Sequence, residues 1–113
     1  MTIHMNTSSH GFSVEKIDAP LGAVIRGIDL TQALDNATLV SLRQTWLQHQ
    51  LLVFPDQPMS ITDLERFAHG MGPYGEDPYF EAMPGHPHVA QVRREANETT
   101  RIFAEAWHSD WSF

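Results

Sequence analysis

The sequence contains no cysteine, few basic residues and no long apolar run. Without cysteine the chain can form neither disulfides nor thiolate metal sites, and a cytoplasmic location is the default expectation. Seven Lys and Arg, of which only Arg93 and Arg94 are adjacent, stand against fourteen Asp and Glu, for a net charge of −7. This balance argues against nucleic acid as a partner. No apolar run approaches the roughly 18 residues that a membrane span needs, so a membrane is not an expected partner either.

The length of 113 residues is enough for one domain with a single core. Residues 1–10 are mostly small and polar, with neither Lys nor Arg and no apolar stretch. We therefore expect a flexible leader there, not a signal peptide. Nothing in the composition decides whether the protein forms a homo-oligomer.

Three short segments carry the apolar patterns of β-strands. The first is the alternation that begins at Phe12 and Val14, and the second is the run over residues 23–28. The third, residues 51–54, is wholly apolar and predicts a buried strand.

Two helices are also predicted, which makes the expected fold class α+β and mainly β. The first helix begins near Asp35 or Asn36, whose side chains can accept hydrogen bonds from the first free amides. We expect its apolar stripe to pack in the core. The stripe consists of Leu39, Leu42, Trp46 and Leu47. The second helix is predicted over residues 60–71, with Thr62 and Glu65 as its capping box.

The sequence after the second helix is dense in Gly and Pro, which predicts a long loop over residues 70–88. Loops of this length inside a domain are usually functional or disordered. This one contains Asp77, Tyr79 and Phe80. Residues 89–92 predict a short strand, and a polar loop follows it.

The last seven residues alternate in a way that predicts a strand with one apolar and one polar face. The apolar face would carry Trp107, Ser109, Trp111 and Phe113, and the polar face His108, Asp110 and Ser112. The His-x-Asp spacing places an imidazole beside a carboxylate, and these are two of the three ligands in the 2-His-1-carboxylate iron(II) site. A surface His–Asp pair without a metal is the alternative that these residues leave open.

The remaining histidines are weaker candidates for metal binding. His86 and His88 could form a second pair, and His69 could supply a further ligand, so a metal centre built on them is a separate hypothesis. His86 and His88 lie beside Gly and Pro in loop-like sequence, where solvated histidines are common, and His69 precedes Gly70 near the end of the predicted second helix. His4 and His10 lie in the leader and are expected to be inert. The chain has no phosphate-binding loop and no Ser or Thr in a nucleophile elbow.

Four segments occur in the order found in a known family. They are Leu-Gly-Ala-Val-Ile-Arg-Gly-Ile-Asp-Leu over residues 21–30, the segment 39–54 that ends in Leu-Leu-Val-Phe, Phe-Ala-His-Gly-Met-Gly over residues 67–72, and Trp-His-Ser-Asp over residues 107–110. Together they resemble the amino-terminal part of the TauD/TfdA family of iron(II)- and 2-oxoglutarate-dependent dioxygenases. The resemblance runs from about residue 12 to residue 113.

The resemblance implies a double-stranded β-helix, or jelly roll, with helices packed outside it. It implies that His108 and Asp110 are the first two iron ligands, that 2-oxoglutarate is the co-substrate and that O₂ is the oxidant. Enzymes of the family hydroxylate a small organic molecule and decarboxylate 2-oxoglutarate to succinate.

The family's second iron-binding histidine and its 2-oxoglutarate-binding arginine lie well downstream of the His-x-Asp motif. We therefore expect residues 11–113 to be the amino-terminal part of one dioxygenase domain, truncated after that motif, and inactive alone. The alternative is a complete chain that acts as a non-catalytic binding module.

The resemblance also places Asp77, Tyr79 and Phe80 in a loop that faces the substrate. In taurine dioxygenase this loop carries a histidine and a tyrosine, the histidine contacting the substrate sulfonate. Asp77 would repel a sulfonate, which argues against taurine as the substrate. Tyr79 and Phe80 could equally well be aromatic residues that close over a core.

Overall fold

A computed structural model describes residues 6–7, 11–77, 79–101 and 104–110. The chain divides into two compact units, residues 1–73 and residues 74–113. The described part of the first contains a four-stranded sheet and two helices, and that of the second contains a two-stranded hairpin. The predicted mixture of strands and helices is confirmed. No helix in the described ranges is both long enough and apolar enough to cross a membrane.

The sheet of the first unit has the strand order β1-β2-β3-β4. Its strands are β1 (Asn6–Thr7), β2 (Ser13–Lys16), β3 (Ala23–Arg26) and β4 (Leu52–Val53). β2 pairs antiparallel with both β1 and β3, whereas β3 and β4 are parallel. A parallel pair needs a crossover connection, and helix α1 (Asn36–His49) supplies it. The segment expected to be a leader thus contributes β1 to the sheet.

The turn between β2 and β3 depends on Gly22. Its φ of 109° is rarely adopted by residues with a side chain, and an added Cβ would lie 3.0 Å from Cδ1 of Ile17. The amide of Ile17 donates to the carbonyl of Gly22 at 3.1 Å, and the amide of Gly22 donates to the carbonyl of His49 at 2.8 Å. These bonds close the turn and tie it to the end of α1.

Helix α1 begins where the sequence predicts. Asp35 is its N-cap, and Oδ1 of Asp35 accepts a hydrogen bond from the amide of Thr38 at 2.7 Å. The helix ends at Gln50, whose left-handed φ of 68° turns the chain toward β4.

Helix α2 (Ile61–Met71) has a capping box two residues earlier than predicted. The amide of Ser60 donates to Oδ2 of Asp63 at 2.9 Å, and the amide of Asp63 donates to Oγ of Ser60 at 3.1 Å. The predicted box of Thr62 and Glu65 is wrong, because Thr62 already lies inside the helix. The aspartate three residues after the cap accepts the hydrogen bond from the amide of the cap residue, which a glutamate usually accepts in this motif.

The core of the first unit lies between the sheet and the two helices. Phe12, Ile25 and Leu42 are its fully buried large side chains. Phe54 and Phe67 pack edge to face beside them, with ring centroids 5.3 Å apart. The other partly buried members are Val14, Ile28, Leu34, Leu52 and Met71.

Some residues predicted to be buried are exposed. Leu47 is 81% exposed because it follows Leu42 by five positions, which turns its side chain about 140° away around the helix. Trp46 is 46% exposed, and its Nε1 donates to the carbonyl of Gln50. The core stripe prediction is therefore wrong at these two residues. The third predicted strand is buried only on the face of Leu52.

The second unit contains the hairpin of β5 (Ala82–Met83) and β6 (His86–Ala90). Pro84 and Gly85 form its turn, with Gly85 at a φ of 77°. The predicted loop over residues 70–88 is therefore wrong at its end, since His86 and His88 lie on a strand. The predicted strand over residues 89–92 begins earlier than expected.

Candidate functional site

The side chains of His108 and Asp110 meet in the structure. Nε2 of His108 lies 3.2 Å from Oδ1 of Asp110, and Nδ1 of His108 donates to the carbonyl oxygen of Ala106 at 2.8 Å. A carbonyl oxygen can only accept, so Nδ1 is the nitrogen that carries the proton. In the neutral imidazole the lone pair of Nε2 then faces the carboxylate.

This arrangement fits a divalent metal ion. Two acceptor atoms that face each other repel unless a cation or a proton lies between them. Two ligand atoms at about 2.1 Å from one metal, and at right angles, are about 3 Å apart, which is close to the 3.2 Å between Nε2 and Oδ1. A backbone carbonyl that holds the other ring nitrogen is also typical of metal-binding histidines.

The pair would supply only part of a metal site. No group of three His, Asp or Glu side chains that could hold a metal is found among residues 6–7, 11–77, 79–101 and 104–110. The side chains of His108 and Asp110 are 48% and 95% exposed, and they border a shallow cavity of about 470 Å³ lined by residues 104–108 and Asp110. Both side chains are therefore accessible to a cation and to further groups that could bind it.

The backbone that carries the pair is not a strand. Residues 107–110 have no regular secondary structure, so the strand prediction is wrong there, and Trp107, predicted on an apolar face, is fully exposed. A strand needs a neighbour for its amides and carbonyls, and the strand pairs of the described chain do not include this segment. Trp111, Ser112 and Phe113 lie outside the described residues.

A larger cavity, of about 790 Å³, lies between the loop after α2 and the β5–β6 hairpin. It is lined by Gly75, Glu76, Asp77, Phe80, Ala82, Pro87, His88, Val89 and Ala90. Two of the three predicted substrate residues, Asp77 and Phe80, are among them. Tyr79, the third, is 71% exposed and is not among the lining residues.

Asp77 fixes the conformation of the loop and also gives it a negative charge. Its Oδ1 accepts hydrogen bonds from the amides of Tyr79 at 2.8 Å and Phe80 at 3.3 Å. A carboxylate that bonds the backbone two residues ahead forms an Asx turn. The turn directs Phe80 to the cavity, while Asp77 and Glu76 place negative charge along its lining.

Sequence reasoning missed the stacking of Tyr74 on His88. The ring centroids are 4.1 Å apart and the planes are inclined by 14°. This contact needs the hairpin, which carries His88 back to the start of the loop. The Pro84–Gly85 dipeptide is the signal that could have predicted the hairpin.

The other histidines are not brought together into a metal site in the described chain. His86 and His88 share one face of β6, and His69 lies in the last turn of α2, in the first unit. His4 and His10 lie outside the described residues. The hypothesis of a metal centre on His86 and His88 gains no support from this arrangement.

The family model for "Taurine catabolism dioxygenase TauD, TfdA family" matches residues 13–113. The chain belongs to the TauD/TfdA family. The resemblance carried by the four sequence segments is thereby confirmed.

Curated members of the family are similar to the chain over part of their length. An (S)-phenoxypropionate/alpha-ketoglutarate-dioxygenase of Sphingobium herbicidovorans is 40% identical over 65 residues, which are 58% of this chain and 22% of that protein. A protein of the same name from Delftia acidovorans is 31% identical over 84% of this chain and 35% of its own length. An alkylsulfatase of Acinetobacter baylyi is 27% identical over the whole chain and 35% of its own length. The chain thus spans about a third or less of these relatives.

Solved structures show the same likeness. A taurine dioxygenase from Burkholderia xenovorans superposes with a TM-score of 0.57 and 26% identity, over 68% of this chain and 27% of that one. AAD-2, solved in complex with Mn(II) and N-oxalylglycine, superposes with a TM-score of 0.52 over 54% of this chain and 24% of its own. At 20% identity, the second likeness shows the fold alone.

Proposed function

We propose that this chain is part of an iron(II)- and 2-oxoglutarate-dependent dioxygenase that hydroxylates a small organic substrate. The observation that carries the proposal is the facing of His108 Nε2 and Asp110 Oδ1 at 3.2 Å, in a chain of the TauD/TfdA family. In the overall reaction a C–H bond becomes C–OH, one O₂ is consumed, and 2-oxoglutarate becomes succinate and CO₂.

In this proposal His108 binds the metal through Nε2 and Asp110 binds it through Oδ1. The carbonyl of Ala106 keeps the proton of His108 on Nδ1 and so keeps Nε2 available. Iron(II), when bound with 2-oxoglutarate, supplies the activation of O₂. The third ligand and the arginine for the 2-oxoglutarate carboxylate would come from outside these 113 residues, as would the rest of a jelly roll.

The substrate would lie in the 790 Å³ cavity of the second unit. Phe80 would pack against its apolar part, Tyr79 would stand at the exposed rim, and Asp77 would hold the loop that carries both. Because Glu76 and Asp77 both line the cavity, an anionic group at this wall is disfavoured. Taurine, with its sulfonate, is therefore a poor candidate for the substrate.

The test is iron-dependent release of succinate from 2-oxoglutarate. It uses the product of the whole reading frame that encodes this chain, which we expect to continue into a histidine and, beyond it, an arginine. We expect His108→Ala and Asp110→Ala to lower the rate by more than about 100-fold, and Ser109→Ala, the exposed residue between them, to leave it nearly unchanged. Retained turnover in either ligand variant would overturn the ligand assignment.

A further inference from the structure

His88 lines the 790 Å³ cavity, and its ring is stacked on the ring of Tyr74, which is not among the lining residues. Tyr74 directly precedes the lining residue Gly75 and His88 lies in the middle of β6, so the stack ties the start of the loop to the hairpin. The planes are only 14° from parallel, with centroids 4.1 Å apart. With one face of its ring against Tyr74, His88 is held in position at the cavity lining.

The residues that line the cavity are of three chemical kinds, which are apolar groups, carboxylates and one imidazole. Phe80, Pro87 and Val89 present apolar surface, Glu76 and Asp77 present carboxylates, and His88 presents an imidazole. Carboxylates accept hydrogen bonds, whereas an imidazole can donate one. A cavity of this size with apolar walls and few polar groups is typical of a small-molecule site.

We propose that His88 determines specificity in this cavity, which takes a neutral molecule with an aromatic or other apolar body and one hydrogen-bonding group. Tyr74 is the positioning residue that holds the imidazole. The ligand's apolar body packs between Phe80 and His88, its polar group bonds to the imidazole, and the two carboxylates exclude an anion. The inference rests on the proposed function only in identifying this ligand with the substrate, since binding in the cavity needs no metal.

The first test compares two near-isosteric probes, 3-phenylpropionamide and 3-phenylpropionate, on the ¹⁵N-labelled 113-residue chain in metal-free buffer with EDTA. We expect the neutral amide to shift the backbone resonances of Phe80, His88 and Val89. The anionic probe should bind at least about tenfold more weakly. Equal or tighter binding of the anion, or shifts confined to other parts of the chain, would overturn the proposal.

Two variants separate the charge from the shape of the loop. In the double variant Glu76→Gln with Asp77→Asn, the side chain at position 77 can still accept the amide hydrogen bonds of its turn. The two probes should then bind with similar affinity. If the anion remains excluded, the discrimination does not come from these carboxylates.

A second set of variants tests the imidazole. His88→Ala should weaken binding of the amide probe by about two- to tenfold, the range expected for loss of one aromatic contact. His88→Gln, which keeps a donor, should recover part of the loss, and His86→Ala, on the same strand, is the matched control. Unchanged affinity in His88→Ala would refute the specificity role.

The role of Tyr74 has its own spectroscopic readout. Stacking on an aromatic ring shifts the ring protons of His88 upfield, so Tyr74→Phe should keep this shift and the probe affinity, while Tyr74→Leu should lose both. If Tyr74→Leu loses the shift but binds the probe as the wild type does, the positioning role is wrong. Because every measurement omits metal, failure here leaves the iron proposal standing, and failure of succinate release leaves this one standing.

Discussion

The side-chain amide of Gln57 takes the place of a strand neighbour for the backbone at Leu30. Its Oε1 accepts from the amide of Leu30 at 2.9 Å, and its Nε2 donates to the carbonyl of Ile28 at 2.9 Å. Both hydrogen bonds are partly buried. The pair fixes the segment that leaves β3 against the segment that enters α2.

Replacing Gln57 should therefore destabilise the first unit. We expect Gln57→Ala to lower the free energy of unfolding by about 1–3 kcal/mol, because two backbone groups lose their partner. Gln57→Glu should also destabilise, since it keeps an acceptor for Leu30 but points a carboxylate oxygen at the carbonyl of Ile28. Urea unfolding followed by circular dichroism measures both, with the exposed Gln44→Ala in α1 as the control. A loss no larger than in the control would contradict the pairing.

Two leucines of α1 should differ sharply in their effect on stability. Leu42 is fully buried whereas Leu47 is 81% exposed. We expect Leu42→Ala to cost about 2–5 kcal/mol, and Leu47→Ala to stay within about 0.5 kcal/mol of the wild type. The same unfolding experiment measures both. Similar losses of stability in the two variants would contradict this difference and would support the core stripe predicted from the sequence.

The start of α2 can be tested with two hydroxyl residues. Ser60→Ala should lower the stability by about 1 kcal/mol because the first turn loses its cap. Thr62→Ala should have a smaller effect, since Thr62 is exposed inside the helix. Helix content and the unfolding midpoint are the measurements. A larger loss from Thr62→Ala would favour the box predicted from the sequence.

The same cap predicts a dependence of stability on pH. Hydrogen bonds from the backbone and side chain of Ser60, with a further one from Arg66, lower the pKa of Asp63 below its usual 3.8. A carboxyl group whose pKa is lowered by folding stabilises the folded state at pH values above its unfolded pKa. This stabilisation is lost as the pH falls through the pKa of the folded state. The stability difference between wild type and Asp63→Ala should therefore be full at pH 6 and shrink below about pH 3.8.

The wild type must be compared with the variant because Asp29 gives the stability a pH dependence of the same sign. Hydrogen bonds from the side chain and backbone of Thr31 lower its pKa as well. Asp29 is present in both proteins, so its contribution cancels in the difference. A difference that stays constant down to pH 2 would show that the carboxylate charge of Asp63 contributes nothing to the cap.

The proposed metal ligands, His108 and Asp110, can be tested on the chain itself. Paramagnetic Mn(II) broadens the NMR signals of nearby residues, so titration should broaden the amides of residues 106–110 first. His108→Ala and Asp110→Ala should each abolish the selectivity, because a single remaining ligand cannot chelate. His86→Ala should leave it intact. Selective broadening around β6 instead would favour the alternative centre on His86 and His88.

Local signals in the sequence were enough to predict several elements. Asp35 precedes an apolar-periodic segment, and it caps α1 as expected. The strand patterns near Val14 and over residues 23–28 also match β2 and β3. The His-x-Asp spacing predicted that His108 and Asp110 would lie side by side, and they do. Each of these depends on residues within a few positions of one another.

Other features depended on contacts between distant residues. Helix geometry alone separates Leu47 from Leu42 by about 140°, but it places Trp46 within about 40° of Leu42, and the sequence could not predict that Trp46 is 46% exposed. It could not place His88 against Tyr74, because that contact needs the hairpin. The strand predicted over residues 107–113 is absent from residues 107–110, the part that the structure describes, since a strand is stabilised by its neighbour.

The sequence by itself determined the family, both helices and three of the four strands of the first unit, and the two residue types of the candidate metal pair. These follow from short-range periodicity, capping chemistry and spacing, all of which are present in the order of the residues. Only the tertiary structure decided which apolar side chains are buried, how the imidazole of His108 is oriented, and which side chains line the cavity of the second unit. These depend on close packing between segments far apart in the chain, which no local pattern encodes.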